Sequence, residues 1–199
     1  MTRHPLHALL LGAGLLLSSL PVLAAVDTCC LATTTDFPKV GGNLGNQNYT
    51  ALAKIHKANI NRLGAAWLTS LEGGAKSGNN QSTAVALNGV LYIETAQGRV
   101  HAIDGKTGAV KWSWNPGRGG QTRRGVAVGD GKVFTLTTGD HVVALDQATG
   151  EVVWDRQHSG WGNIAKVAVV YHDGMLYVGT NDGNRGAALA FRADNGRPA

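Results

Sequence analysis

The chain has 199 residues, of which 43% are hydrophobic and 6% aromatic, and it contains 28 glycines. This composition is typical of a globular, turn-rich β protein and excludes an intrinsically disordered chain. The formal net charge of +5 is spread without long basic runs, so it favours solubility, and no nucleic-acid partner is predicted.

Residues 1–25 are predicted to be a secretory signal peptide. Arg3 and two histidines precede the apolar run 8–17, and residues 21–25 end in small side chains suited to cleavage. The apolar run is shorter than the roughly 20 residues that a membrane anchor needs. The sequence therefore predicts export, a mature chain that starts near Val26, and no membrane span once the signal is removed.

Residues 26–40 are interpreted as a linker. Its two adjacent cysteines, Cys29 and Cys30, are the only ones in the chain and show no metal-site spacing. In an oxidising compartment they could bond to each other or to another chain, and lipidation of Cys29 is a third alternative. The threonine-rich stretch 31–38 has no apolar periodicity, so we expect it to be loosely held.

Residues 41–80 form a separate N-terminal segment, which opens with turn-forming glycines and asparagines. A short helix-like stretch follows, in which three apolar residues are predicted to share one face: Ile55, Ile60 and Leu63. An asparagine, at position 59 or 61, is expected to cap a turn there. We then expect a strand around residues 65–70, with Trp67 buried.

Residues 81–199 contain an internal repeat. The stretch AIDGKTGAVKW at 102–112 returns as ALDQATGEVVW at 144–154, and a decayed copy, AFRADNGRPA, occupies 190–199. Their first alanines are 42 and 46 residues apart, within the roughly 40–50 residues of a four-stranded propeller blade. The sequence therefore predicts an all-β fold, a partial β-propeller.

Each repeat also carries a predicted hairpin turn. The three turns are Asn88-Gly89, Asp130-Gly131 and Asp173-Gly174, whose glycines are 42 and 43 residues apart. About three four-stranded blades fit into 81–199, and Trp112 and Trp154 are expected to fill equivalent buried positions between adjacent blades. Because three blades cannot close a ring, we interpret the chain as an N-terminal fragment or a truncated gene product.

Two sets of motifs together resemble one family. Residues 41–67 show a glycine-rich opening, then Asn-Gln-x-Tyr, Asn-x-x-x-Leu and Ala-Trp, and the repeats show Asp-x-x-Thr-Gly-x-x-x-Trp. This order resembles the N-terminal part of the pyrroloquinoline quinone (PQQ)-dependent alcohol dehydrogenases. The resemblance implies a secreted periplasmic quinoprotein with an eight-bladed propeller. It also implies PQQ and calcium as cofactors, oxidation of an alcohol or polyol, and cytochrome c or ubiquinone as electron acceptor.

The resemblance implies two cofactor-binding residues in this chain. Gln81 precedes the Ser-Thr of the first blade, where the family usually has a glutamate that binds the carboxylates of PQQ. Arg124 matches the arginine of the family's Asn-Arg-Gly-x-Ala motif, and its guanidinium suits pairing with carboxylate or quinone oxygens. The alternative for Arg124 is a solvated loop arginine.

Several family features are missing from their expected places. Arg118-Gly119 stands where the family has adjacent cysteines, and the calcium-binding glutamate after the third blade is absent. Asn181 or Asp182 could offer an oxygen to calcium, but such residues before glycine are more often turn formers. The catalytic aspartate and the tryptophan that stacks on the cofactor are expected beyond residue 199. No catalytic residue is therefore assigned, and the metal ligands stay unknown.

Two functions remain open from the sequence. The first is part of a PQQ-dependent dehydrogenase that is inactive by itself. The second is a non-catalytic propeller scaffold or binding module of the outer-membrane assembly type. The missing cysteine pair and glutamate favour the scaffold, whereas the N-terminal segment 41–67 favours the enzyme.

Overall fold

The computed structural model describes residues 31–72, 80–118, 124–158, 164, 167–180 and 186–199. The predicted signal peptide, Cys29-Cys30 and the calcium candidates Asn181 and Asp182 lie outside these residues. The described part contains one 3₁₀ helix, Ile60–Arg62, and these strands: β1 (Val85–Leu87), β2 (Val90–Glu94), β3 (Val100–Asp104), β4 (Val110–Trp114), β5 (Ala127–Gly129), β6 (Lys132–Thr137), β7 (His141–Asp146), β8 (Val152–Gln157), β9 (Val170–His172), β10 (Met175–Gly179) and β11 (Ala188–Arg192).

The strands form three antiparallel sheets, each a simple meander. Sheet 1 has the order β1-β2-β3-β4, sheet 2 the order β5-β6-β7-β8, and sheet 3 the order β9-β10-β11. The predicted partial β-propeller is thus confirmed, although sheet 3 has three strands over the described residues and not four. Beside β11, Pro198 forms an isolated bridge with Phe191. No helix in the described part of the chain is long and apolar enough to cross a membrane.

The three hairpin turns lie where the sequence predicts them. In each turn both central residues have positive φ, with values of 52° and 75° at Asn88-Gly89, 49° and 67° at Asp130-Gly131, and 45° and 73° at Asp173-Gly174. This backbone matches the right-handed twist of the flanking strands, and Asn or Asp followed by Gly adopts it readily. The turns fix the register between the first and second strands of every sheet.

The Asp-x-x-Thr-Gly turn is braced by its aspartate. The Asp104 carboxylate accepts hydrogen bonds from the backbone N–H of Thr107 at 2.8 Å and from the Thr107 hydroxyl at 2.9 Å. Asp146 and Thr149 repeat this arrangement in sheet 2. These bonds favour the ionised carboxylate and lower the pKa of both aspartates. The decayed third copy keeps the equivalent backbone bond, from Gly196 N–H to Arg192 O at 2.8 Å, without the aspartate.

A tryptophan from one unit docks on the turn of the next. The indole N–H donates to a backbone carbonyl in three equivalent pairs: Trp67 to Gly105 at 3.1 Å, Trp112 to Gln147 at 3.1 Å, and Trp154 to Ala193 at 3.2 Å. Each ring also lies against the turn glycine, Gly108, Gly150 or Gly196, where an added Cβ would come within 2.6–2.7 Å of it. Trp112 and Trp154 are 9% and 6% exposed, which confirms their predicted burial between sheets.

Two apolar layers join the three sheets. The first inter-sheet layer, between sheets 1 and 2, contains Tyr92 and Trp112, whose rings are 6.1 Å apart. The second inter-sheet layer, between sheets 2 and 3, repeats this pair as Phe134 and Trp154 at 6.0 Å. The same aromatic contact therefore recurs after 42 residues, together with the repeat.

The N-terminal segment differs from the prediction in two respects. Residues 65–70 are not a strand, because no described strand lies beside them to pair with, and Trp67 is only half-buried. The predicted apolar face packs against nothing in the described structure: Ile55, Ile60 and Leu63 are 56–60% exposed. The turn itself is present, since the Asn59 side chain accepts from His56 N–H and donates to Lys54 O, each at 2.8 Å.

The threonine-rich stretch is better held than expected. Phe37 and Ala86 exchange two backbone hydrogen bonds of 2.7 and 2.9 Å, so residue 37 pairs with the outer side of β1. Thr33 bridges Thr50 and is buried. The lack of apolar periodicity predicts loose packing, but backbone pairing to a free strand edge needs no such pattern.

Candidate functional site

An open cleft lies beside the first strands of the three sheets. The strands β1, β5 and β9 are spatial neighbours. The residues just before these strands and one residue of the N-terminal part line a cleft of about 490 Å³, which we call the axial cleft: Gln81, Thr83, Arg124, Val167 and Ala168, with Val40. Each repeat thus contributes one short segment to the axial cleft, because each segment lies at a similar distance before its hairpin turn.

Both residues that the sequence singles out for cofactor binding line this cleft. Gln81 comes from the segment before β1 and Arg124 from the segment before β5, and both side chains are exposed. No ion pair or hydrogen bond within the described residues occupies the Arg124 guanidinium. An unpaired cation beside an amide and the Thr83 hydroxyl can bind a carboxylate-bearing ligand. Their role in cofactor binding stays a prediction.

Gly125 lets the Arg124 segment approach sheet 1 closely. Its φ is +114°, a conformation that side chains resist, and an added Cβ would lie 3.0 Å from Thr83 O and 3.3 Å from a methyl group of Val40. The glycine therefore closes the gap between the segment that carries Arg124 and the segment that carries Gln81. This close approach explains why both side chains reach one cleft.

The end of β2 near the cleft carries a buried acid that the sequence analysis missed. Glu94 is 0% exposed, and this burial raises its pKa to about 9, so the carboxyl holds its proton at neutral pH. Neither carboxyl oxygen has a hydrogen-bond partner in the described structure. At the equivalent position of sheet 2 stands the buried aliphatic Leu136.

More buried polar groups face the first inter-sheet layer from the other side. Along β6, Phe134 and Leu136 belong to the second layer and Val133 to the first, so strand alternation places Thr135 and Thr137 in the first layer. Both hydroxyls are fully buried and make no hydrogen bond in the described structure. Glu94 shares a face of β2 with Tyr92 and therefore points into the same layer. The first inter-sheet layer is thus polar at the end where Glu94, Thr135 and Thr137 lie.

Arg118, which by resemblance takes the place of one cysteine of the family's pair, belongs to a charged cluster. Asp155 binds the Arg118 guanidinium with one carboxylate oxygen, and its other oxygen lies 2.6 Å from His141 Nδ1. The three side chains tie the chain that leaves β4 to sheet 2. They offer no thiol, so a disulfide contact to a cofactor cannot form at this position. Within the described residues, no group of three or more His, Cys, Asp or Glu side chains could hold a metal ion.

A second cavity, of about 380 Å³, lies away from the axial cleft and contains none of the predicted site residues. Glu72, Arg99 and His101 line it, with Arg99 and Glu72 3.4 Å apart. His101 is buried, and its desolvation together with the Arg99 charge lowers its pKa, so the imidazole is neutral at pH 7. The Ser113 hydroxyl lies 2.7 Å from its Nδ1.

Comparison with known families identifies two matching models. The model described as "Glucose/ethanol/alcohol dehydrogenase, beta-propeller domain" matches residues 37–129, and the model described as "Outer membrane protein assembly factor BamB" matches residues 96–199. The first match includes much of the N-terminal segment and the Gln81 and Arg124 positions. The second covers repeats alone, with neither Gln81 nor the segment before it.

Relatives of this chain include quinohemoprotein alcohol dehydrogenases. The chain is 30% identical over 181 residues to the quinohemoprotein alcohol dehydrogenase of Comamonas testosteroni, which covers 83% of this chain and 25% of that enzyme. The crystal structure of a quinohemoprotein alcohol dehydrogenase from the same organism matches with a TM-score of 0.74 at 28% identity, over 82% of this chain and 26% of that one.

The names of two further relatives mention an electron acceptor or a metal. The 1-butanol dehydrogenase (cytochrome c) of Thauera butanivorans is 32% identical over 145 residues, 65% of this chain and 20% of that enzyme. A europium-containing methanol dehydrogenase matches with a TM-score of 0.71 at 26% identity, over 82% of this chain and 31% of that one. The chain spans about a quarter of the length of the relatives it matches.

Proposed function

The chain belongs to the family of PQQ-dependent alcohol dehydrogenases, and from this premise we propose that it supplies part of the cofactor site of a quinoprotein that oxidises an alcohol or polyol. One observation carries the proposal. The two residues that match the family's cofactor-binding positions, Gln81 and Arg124, come from different sheets and yet line one cleft. The match of the alcohol dehydrogenase propeller model across both positions supports the same function.

The residues in the axial cleft suit a ligand with several carboxylates. The Arg124 guanidinium, which has no partner among the described residues, can form two parallel hydrogen bonds to a carboxylate, and the Gln81 amide can donate another. PQQ, when bound, supplies the quinone that accepts hydride from the alcohol. The part played by this chain is to bind and orient that cofactor, and no residue in it is assigned as the catalytic base.

We also propose, from the family alone, that the complete enzyme uses calcium and passes its electrons to a cytochrome or to ubiquinone. The described residues supply no calcium ligand set, so no metal ligand is assigned in this chain. The relative named 1-butanol dehydrogenase (cytochrome c) supports a cytochrome as acceptor, with ubiquinone as the alternative. We further propose that the protein acts in the periplasm after removal of residues 1–25, and that this chain alone does not turn over substrate.

PQQ binding by the purified chain tests the proposal. We expect saturable binding, followed by quinone absorbance, that weakens about tenfold or more in Arg124→Ala, because a charge-assisted hydrogen bond contributes roughly 1.5–3 kcal/mol. Arg192→Ala is the matched control: it removes the same charge from the opposite end of sheet 3, beside the Gly174 turn, and should leave the affinity unchanged. Circular dichroism must show that each variant is folded.

The alternative function is a non-catalytic scaffold. The match of the BamB model to residues 96–199 favours it, since propeller repeats of this type also occur without a cofactor. A folded chain that binds no PQQ, with calcium or without it, would contradict the enzyme assignment and support the scaffold.

A further inference from the structure

We propose that two copies of this chain associate head to tail, with residues 67–71 of one copy as the outermost strand of sheet 3 in the other. We call residues 67–71 the docking segment. The proposal goes beyond the proposed function and does not depend on cofactor binding. It follows from the repeat itself, because the described chain has one outermost segment without inner strands and one sheet without its outermost strand.

A row of three side chains crosses each four-stranded sheet. In sheet 1 the backbone pairing aligns Tyr92 with Ala102, and Ala102 with Trp112. The same pairing in sheet 2 gives the row Phe134, Ala144 and Trp154. In both rows the aromatic ring and the indole meet over the small alanine, at 6.1 and 6.0 Å. We call this arrangement the aromatic row.

Sheet 3 has the first two members of the row. Tyr177 lies three residues after the turn glycine Gly174, as Tyr92 and Phe134 do after theirs, and it pairs with Ala190. Within the described residues no tryptophan pairs with Ala190. Tyr177 is therefore 45% exposed, whereas Tyr92 and Phe134 are 2% and 0% exposed. Its ring is left without the indole that covers its counterparts.

Trp67 is an indole without the rest of its row. Its ring N–H donates to Gly105 O, and its ring lies against Gly108, just as the other two tryptophans dock on their turns. The Thr69 hydroxyl also donates to Gly108 O. No aromatic ring of the described residues stacks on Trp67, which stays half-buried. The docking segment thus stands where an outermost strand stands, before sheet 1.

The free edge of β11 can pair with such a strand. Pro198 forms an isolated bridge with Phe191, and Ala199 N–H donates to Ala190 O at 3.1 Å, so these two residues take the first positions of a fourth strand. Within the described residues, no strand pairs with the rest of that edge. Its unpaired backbone groups can hydrogen-bond to a strand from another chain.

The two parts cannot meet within one chain, because sheet 2 packs between sheets 1 and 3. Between two copies, the register of β3 and β4 places Trp67 opposite Ala190 and beside Tyr177. The next pair is then Leu68 and Leu189. Leu68 is 90% exposed and Leu189 is half-buried in the single chain, so the contact covers apolar surface on both sides.

The outer face of sheet 1 is also incompletely covered. Leu91 and Ile93 are half-buried, whereas the equivalent residues of sheet 2, Val133 and Thr135, are 0% exposed against sheet 1. Sheet 3 of a second copy would cover this face and continue the two inter-sheet layers. Two copies joined in this way at both ends contain six sheets, which lies within the roughly 4–8 blades of closed propellers. We therefore expect a closed dimer.

Sedimentation velocity and light scattering on the purified chain test the proposal. We expect twice the mass of one chain, with dissociation on dilution. Tyr177→Lys should weaken the association by about thirtyfold or more, as for the loss of an aromatic anchor. Tyr49→Lys is the matched control, because Tyr49 is also an exposed tyrosine, at 59%, and belongs to neither part of the contact. It should leave the association unchanged.

A mixing experiment tests the head-to-tail arrangement. Leu68→Lys damages the docking segment and Tyr177→Lys damages sheet 3, so each variant alone should be monomeric. Both side chains are exposed in the single chain, and circular dichroism should show both variants folded. An equimolar mixture should form heterodimers, because the intact docking segment of the Tyr177→Lys chain meets the intact sheet 3 of the Leu68→Lys chain.

Three results would overturn the proposal. The first is an unmodified chain that stays monomeric at the concentrations of an NMR sample. The second is an equal loss of association in Tyr49→Lys, because the effect would then come from the added charge alone. The third is a mixture of the two variants that stays monomeric, which would exclude the head-to-tail contact even if the unmodified chain is a dimer.

Discussion

The contact between a tryptophan ring and a turn glycine can be measured by comparing Gly150→Ala with Gly131→Ala. Both glycines have positive φ, +77° and +67°, so both variants pay a similar backbone cost of about 1–2 kcal/mol. Only at Gly150 would the new Cβ strike a neighbour, the Trp112 ring at 2.6 Å, whereas nothing lies within 4 Å at Gly131. The difference between the variants therefore isolates the docking contact.

The expected difference follows from the packing at that contact. Forcing an extra methyl group into a well-packed site costs about 1–3 kcal/mol. Displacing the indole also weakens its hydrogen bond to Gln147 O, which contributes roughly 1 kcal/mol. We expect Gly150→Ala to lower the free energy of unfolding by about 2–4 kcal/mol more than Gly131→Ala in urea titrations. Values that agree within about 0.5 kcal/mol would refute the idea that the ring and the glycine are in contact.

Three further predictions concern stability. Trp112→Ala should cost about 3–5 kcal/mol in urea unfolding and clearly more than Trp67→Ala, because Trp112 is buried and Trp67 is half-exposed. The lowered pKa values of Asp104 and Asp146 mean that both stabilise the fold above about pH 4 and lose this effect as the pH falls further, so Asp104→Asn should reduce acid sensitivity in pH-dependent melting. The raised pKa of Glu94 means that the free energy of unfolding falls as the pH rises from about 4.5 to about 9, by up to roughly 1.4 kcal/mol per pH unit. Glu94→Gln should flatten this pH dependence. If the pH dependence is the same in the variant, the carboxyl is already ionised in the folded chain.

The parts of the fold that the sequence predicts are those set by local chemistry. An Asn-Gly or Asp-Gly pair specifies its turn through the backbone conformations that those residues tolerate, so the hairpins at Gly89, Gly131 and Gly174 are found where expected. The buried positions of Trp112 and Trp154 follow from their constant distance from the preceding turn.

The parts that the sequence does not predict depend on distant neighbours. Residues 65–70 are predicted to be a strand, but a strand also needs a partner, and none pairs with them in the described structure. Ile60 and Leu63 have a helical spacing, three residues apart, but no surface to pack on in the described structure. Glu94 gives no sequence motif at all. The signal that could have revealed it is its alignment with Leu136, which requires knowing that the two strands occupy equivalent places.

In the candidate site, sequence matching finds the two residues that line the cleft, Gln81 and Arg124, and misses Glu94, the buried acid at the end of β2. Gln81 and Arg124 each stand at a fixed distance before a predicted turn, so the repeat brings both to one place. The use of Gly125 to close the gap between their two segments depends on the packing of sheet 1 against sheet 2. The family pattern names that glycine but does not explain it.

The three sheets differ in the number of contacts that join them to their neighbours. Sheet 1 receives an indole hydrogen bond from Trp67, sheet 2 receives one from Trp112 and donates one through Trp154, and sheet 3, within the described residues, only receives. Sheet 2 is also the sheet that packs on both inter-sheet layers. In a linear array whose units contact only their neighbours, the central unit opens last, because its opening breaks two contacts at once. Loss of structure should therefore begin at sheet 3 and leave the strands from Ala127 to Gln157 as the final protected region of the chain.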